Sequence, residues 1–287
     1  MLVGVTFPAD ESTSPLEFGR WAEAHGVESI WFHEHSHIPV SRETPFPGGQ
    51  PLARQYLRFP DPFVCLAAIA SVTERVRLGT GLCLLTQRDP ITTAKEAATL
   101  DVLSGGRFVF GVGAGWNAEE MRNHGTDPAH RFAVLCERVD AIRTIWTNDE
   151  AEFHGRYVDF DPIWSWPKPL QQPNPPILLA GDGPRSGERA LRHGDGWITN
   201  AGVTPHDVLL ERARDVQERA RAAGRAPLPI TIFSAPYDVA RLREFAEVGV
   251  VRVVTSLRPT VHEEPDPTRL ERFLDLVDAV EQELAAP

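Results

Sequence analysis

Short, uninterrupted apolar runs alternate along this chain with longer stretches whose apolar residues recur every three to four positions. The runs are Leu2–Phe7, Ser29–His33, Val76–Leu85, Phe108–Gly113, Ile177–Gly181, Gly196–Asn200, Pro229–Phe233 and Val250–Thr255. Continuous rather than alternating runs mark strands covered on both faces, as in a parallel sheet sandwiched by helices. Between them, Phe132, Leu135, Val139, Ile142 and Trp146 make a one-sided helical stripe. Leu209, Ala213, Val216, Ala220 and Ala223 make another, and Leu270, Phe273, Leu274, Val277 and Leu284 a third.

The joins repeat as well. Helix-like stretches end at a Gly shortly before a β-rich run in 23–32, 102–111, 191–200, 221–233 and 246–256. Gly just past a helix takes the left-handed conformation that closes it, and a short loop then opens the next strand. Asp89 before Pro90 reads as an N-cap with Pro at the first helical position. Eight strands, each followed by a helix, predict a (β/α)8 TIM barrel of the α/β class in one domain spanning 1–287. Such a barrel takes about 250 residues. A doubly wound open sheet is the competing arrangement.

Two stretches break the rhythm. Residues 36–61 form a Pro- and Gly-rich loop, and 147–176 an aromatic, Pro-rich insertion before the fifth strand. Long irregular segments in a compact domain are usually functional or disordered. Both are expected to be packed loops walling a pocket, the insertion through Trp164 and Trp166.

A net charge of −11 argues against a nucleic-acid partner, which needs clustered Lys and Arg. No apolar run reaches the ~18 residues of a membrane span, and MLVGVTFPAD carries no basic leader. Cys65, Cys83 and Cys136 are odd in number and lack CxxC spacing, so neither a disulfide framework nor a zinc ribbon is expected. The expected setting is the cytoplasm.

In such a barrel the chemistry sits where strands end. The second strand runs into His33-Glu34-His35-Ser36-His37. Three histidines on one face of an extended segment invite a metal reading, hence a metal-dependent hydrolase. Glu34 and His35 also suit proton transfer and ring binding. The third strand holds Gly79-Thr80-Gly81-Leu82, and Gly inside a strand marks a bulge, a close ligand approach or a packing accommodation. The fourth ends in Gly113-Ala114-Gly115-Trp116. This is GxGxG rather than GxGxxG, and no acidic residue closes a strand about 20 residues on, so it is not a dinucleotide fingerprint. The fifth ends in Gly181-Asp182-Gly183-Pro184-Arg185 before a helix, where free amides and Arg185 suit a phosphate, or Asp182 serves as an N-cap.

These four ends together resemble the luciferase-like monooxygenase superfamily, in particular its branch using the deazaflavin F420. The match is carried by SIWFHEHSHIP (29–39), VRLGT (76–80), DPITTAKEAATLDVLSGGRFVFGVGAGW (89–116), WPKPLQQPNPPI (166–177) and GDGW (194–197). The resemblance implies an oxidoreductase, usually a homodimer, transferring a hydride between F420 and a small organic substrate. The alternative in the same fold is a monooxygenase using reduced FMN. It further implies a ring lying against Thr80, Gly81 and Leu82, with a cis bond at Gly81–Leu82. Glu34 would contact the ring, and His35 would be the acid–base group. The family's glycine turn would fall on Gly113, Ala114 and Gly115 and its phosphate contacts on Asp182 and Gly183, with Trp116, Gly181 and Arg185 beside them as further candidate cofactor contacts. Some relatives have a Glu proton donor after the glycines, where this chain has Trp116. No resident metal is implied.

Overall fold

The computed structural model describes residues 1–9, 13–258 and 263–285. Its first half comprises β1 (Leu2–Thr6), α1 (Pro15–Ala24), β2 (Ser29–Phe32), α2 (Pro62–Ala70), β3 (Arg77–Thr80), β4 (Cys83–Leu84) and α3 (Pro90–Leu103). Then follow β5 (Phe108–Gly113), α4 (Ala118–Asn123), α5 (Arg131–Thr147), and the strands β6 (Ala151–His154) and β7 (Asp159–Ile163). The remainder is β8 (Ile177–Ala180), α6 (Ser186–His193), β9 (Gly196–Asn200), α7 (His206–Ala222), β10 (Ile230–Phe233), α8 (Val239–Glu247), β11 (Val250–Ser256) and α9 (Thr268–Ala285).

Strands pair in the order β3-β2-β1-β11-β10-β9-β8-β5, all in parallel, and β5 pairs back with β3. Closure makes this an eight-stranded (β/α)8 barrel and rules out the open sheet. The single third strand expected at 76–85 is divided: β3 ends at Thr80, the chain bulges, and β4 resumes pairing with β5 at Cys83. Asp89 accepts from the Thr92 amide at 2.7 Å and caps α3. Among the described residues no helix is long and apolar enough to cross a membrane.

Trp31, Val109, Leu178, Ile198, Phe233 and Val254 fill the barrel interior. Gly79 is there to make room: a Cβ on it would overlap the Trp31 ring. Of the helical stripes, Leu135, Val139, Ile142, Trp146, Leu209, Ala213, Val216, Ala220, Leu270, Phe273 and Val277 are buried as expected. Phe132, at the first turn of α5, is not; it is 36% exposed. Leu284, in the last turn of α9, is half exposed, and Ala223 lies beyond α7.

Four of the five joins use left-handed glycines, namely Gly26, the pair Gly105 and Gly106, Gly224, and Gly249. Gly194 differs, with extended backbone at φ −113°. Its constraint is space, since a Cβ would lie 2.8 Å from Leu179 and 3.1 Å from two carbonyl oxygens.

The insertion is not a pocket wall. Its first part is the antiparallel β6–β7 hairpin. Lys168 donates to the Ile145 carbonyl at 2.6 Å, and Gln171 to Asp101 at 2.7 Å and to the Phe108 carbonyl at 2.8 Å. All three partners lie where helices end and strands begin. A segment joining a helix to the next strand has to run across the N-terminal face of the barrel, away from the strand ends. Trp164 and Trp166 are accordingly exposed, at 78% and 56%. On the same face Arg107 donates to the carbonyls of Ser104, Thr73, Val76 and Ala70, pinning α2 and α3 to the start of β3.

Candidate functional site

At the opposite face, the break between β3 and β4 makes a floor. The Gly81–Leu82 peptide is cis. Thr80, fully buried, donates its hydroxyl to the Gly111 carbonyl at 2.8 Å from behind the bulge. Leu82 and Ala180 sit on the apolar interior and remain partly exposed above it. Gly113 leaves room for Leu82, because a Cβ there would stand 2.7 Å from its Cδ1. Ala114 is buried and accepts from the Thr86 hydroxyl at 2.8 Å. Gly115 turns the chain at φ +75°, a backbone that favours glycine.

The chain leaving β2 delivers two histidines, His33 and His35, to this floor. The His33 ring bonds the Gly81 carbonyl through Nδ1. Burial lowers its pKa from 6.5 to about 4, the Gly81 bond pulling upward and the neighbouring His35 downward again. The unfolded chain therefore takes up a proton at His33 before the folded one does. Its contribution is complete above pH 6.5 and is lost as pH falls toward 4. We predict that denaturant titrations between these limits lose up to about 3 kcal/mol from this residue. His33→Asn, which keeps a donor for Gly81, should flatten that part of the profile; an unchanged slope would refute the assignment.

His35 is held from both sides. Its Nδ1 lies 2.7 Å from Glu120 Oε2, and its Nε2 accepts from the Trp116 indole N–H at 3.1 Å. An accepting Nε2 fixes the tautomer, so Nδ1 carries the hydrogen and donates to the carboxylate. Glu120 has no exposed side-chain surface. Burial alone would raise its pKa, but the bond and charge of His35, with help from Gln87 and the chain at His37, bring it below the usual carboxylate value. The Ser36 amide also donates to Glu120 at 3.1 Å. Loop 36–61 does wall the site, as expected. Phe59 stacks over His35 at 6.1 Å and Phe46 meets Trp116 edge-on at 5.5 Å. Tyr56 closes the cluster, 5.6 Å from His35, with burial pushing its pKa up to about 12.

Glu34 is committed elsewhere. Its carboxylate accepts from the Leu84 amide and from Arg88 Nε, both at 2.6 Å. Arg88 continues to Asp61 at 2.6 Å and Glu96 at 2.9 Å. This chain of charges ties β2 to β4 and α3. His37 meets Ser36 and Asn123, so the three histidines diverge to separate partners. Among the described residues no group of three or more His, Cys, Asp or Glu is arranged to hold a metal.

Across the rim lies the turn from β8 into α6. Asp182 Oδ1 accepts from the Thr199 hydroxyl and the Asn200 amide, both at 2.8 Å. It ties β8 to β9 and does not cap α6. The α6 N-cap position is Arg185, and no side chain caps the helix there. A Cβ on Gly183 would meet nothing within 4 Å. The Ser186 amide closes the turn on the Gly183 carbonyl at 3.0 Å, and no side chain caps the amides that follow, a geometry that can receive an anion.

A cavity of about 410 Å³ opens beside His35, lined among others by Phe59, Asp61, Gln87, Arg88 and His124. Of the site residues, the sequence pattern missed Glu120, Gln87, Arg88 and the three aromatics of the loop. Glu120 lies 85 positions from His35 on a short polar helix, and nothing local distinguishes it from Glu119 beside it.

The family model for luciferase-like monooxygenases matches residues 8–247. An uncharacterized protein of Mycobacterium tuberculosis is 41% identical over 256 residues, 87% of this chain and 89% of its own. The F420-dependent glucose-6-phosphate dehydrogenase of Amycolatopsis mediterranei is 33% identical over 212 residues, 72% of this chain and 59% of that one. The oxygenase component of the flavin-dependent trigonelline monooxygenase of Acinetobacter baylyi is 34% identical over 192 residues, 66% and 48% of the two chains. A closed barrel with its site at the strand ends and a family match over most of its length have one reading: the chain belongs to the luciferase-like monooxygenase family and is an oxidoreductase.

Proposed function

We propose that the protein is an F420-dependent oxidoreductase that moves a hydride between the deazaflavin and a small hydroxyl- or carbonyl-bearing substrate. The observation that carries this reading is the His35–Glu120 pair, buried at the same end of the barrel as the partly exposed Leu82 and Ala180.

The residues present fit a tricyclic cofactor. Leu82 and Ala180 form an apolar support for a flat ring, and the uncapped start of α6 with open Gly183 suits its phosphate. When bound, F420 supplies the two-electron hydride chemistry at its C5. The chain does the rest. His35 Nε2 takes or returns the proton of the substrate oxygen once Trp116 releases it. Glu120 keeps the ring in the Nδ1–H tautomer and stabilises the imidazolium that forms. Glu34, through Leu84 and Arg88, keeps the bulge in place.

The lining of the cavity favours hydride transfer over oxygenation. Beside the apolar Phe59, Pro60 and Pro62, the residues Asp61, Gln87, Arg88 and His124 give it polar groups next to His35. That suits exchanging a proton with a polar substrate, whereas oxygen activation calls for a site from which water is kept out. The identity to the trigonelline oxygenase favours the second reading, a monooxygenase using reduced FMN. Titrating the protein with each cofactor separately tests the choice: binding of FMN without F420 would overturn it.

A further inference from the structure

Arg212 donates to the Asp182 carbonyl in the turn between β8 and α6, and three further arginines gather beside that turn. Arg189 stacks 4.1 Å from the Phe132 ring centroid, and Arg131 lies 4.5 Å from the same ring. A Cβ on Gly181 would touch an Arg189 terminal nitrogen at 3.4 Å, so that guanidinium borders the turn itself. Arg185 stands exposed at the α6 N-cap position. Among the described residues no carboxylate forms an ion pair with any of the three, although Glu188 is a sequence neighbour; Arg131 spends one nitrogen on the Pro128 carbonyl at 2.9 Å.

Phe132 explains how the cluster is held. It was expected in the core, yet it stays at the surface as the ring on which two guanidiniums rest. Cation–π contacts fix the cations without neutralising them. Burial and the nearby charges of Arg185 and Arg131 lower the Arg189 pKa, with Cys136 and Glu188 pulling the other way. In a chain of net charge −11, such a concentration of unpaired positive charge is a local cost that a bound anion would relieve.

A single phosphate needs less than this. The start of α6, which no side chain caps, already provides for one, and guanidinium forks suit carboxylates as readily as phosphates. We propose that Arg131, Arg185 and Arg189 form a platform for a polyanionic tail, a phosphodiester followed by several carboxylates, extending from the phosphate turn. The proposal rests on the F420 reading: that cofactor ends in a phospholactyl-oligoglutamate chain, whereas FMN ends in one phosphate. The platform is thus what distinguishes the two cofactors at this end of the site.

The test is fluorescence titration with three deazaflavins, namely F420 with its glutamate tail, the phospholactate form without glutamates, and the core without phosphate. FMN is titrated in parallel. Wild-type protein is expected to bind the tailed form about tenfold tighter than the phospholactate form, a preference that weakens with added salt. In the Arg131→Ala/Arg185→Ala/Arg189→Ala variant, checked for unchanged thermal unfolding, that preference should fall below about twofold. Equal affinity of wild-type protein for the two forms, or a preference that survives in the variant, overturns the platform and leaves the F420 reading standing. A charge-reversed Arg185→Glu protein gives a second reading should the triple variant unfold: it must also lose tail preference. Binding of FMN with none of the deazaflavins overturns the cofactor reading and the platform with it.

Discussion

His35→Ala is expected to lower kcat by about 10²–10⁴-fold, the range for removing a positioned acid–base group. Cofactor affinity should stay nearly constant, since in the proposed mode of binding the ring rests on Leu82 and Ala180. Glu120→Gln should follow His35→Ala in direction. The amide oxygen can still accept from Nδ1, but the charge that stabilises a protonated ring is gone. Trp116→Phe separates the two neighbours of the imidazole. It frees Nε2 without touching Glu120, so it should change KM while most of kcat is kept. A merely structural role for Glu120 predicts lost stability with an unaltered hydride-transfer rate in the folded protein, whereas a role in holding the protonated His35 ring predicts a slower hydride step at unchanged stability. Pre-steady-state measurement of cofactor absorbance separates the two. Turnover of His35→Ala within about twofold of wild type would remove the catalytic assignment.

The largest effect on stability is expected on the other face of the barrel. Arg107→Ala strips hydrogen bonds from the Ser104, Thr73, Val76 and Ala70 carbonyls at 2.7–3.2 Å, and from the Thr73 hydroxyl at 3.0 Å. Losing a charged donor costs about 1.5–3 kcal/mol for one bond, and several acceptors here would be left at once. We expect a loss of about 3–5 kcal/mol, hence a fall in Tm of roughly 6–15 °C by calorimetry. The catalytic rate below the transition should be little altered, because Arg107 is remote from His35. A fall of less than about 2 °C would mean that water replaces the clamp at little cost.

The barrel was legible because its signals are local. An apolar run, a Gly-closed helix and an Asp-Pro cap each state their structure within about ten residues, and parallel winding then leaves few ways to close. Strand ends were legible for the same reason, so His35, Gly81, Leu82 and the turn at Asp182 were identified from their positions. What those side chains bond to was not legible. Glu34 reads like a ring contact until Arg88, 54 positions away, folds onto it. Asp182 reads as a helix cap until Asn200 arrives from the next strand. The insertion misled for a topological reason: its aromatics suggest a pocket, but a connection entering a strand lies at the wrong end of the barrel. Phe132 fits a buried stripe by spacing and leaves it because Arg131 and Arg189 flank it. For Glu34, Asp182 and the Arg189 side of Phe132, the missing information is a partner distant in sequence.

The central claim is that this barrel holds a deazaflavin above Leu82. The most direct measurement is equilibrium binding of F420 and of FMN, reduced and oxidised, to the same protein preparation, followed by cofactor fluorescence. Saturable one-to-one binding of F420, at least about tenfold tighter than that of FMN in either redox state, is expected. Tighter binding of reduced FMN, with F420 failing to saturate, would contradict it.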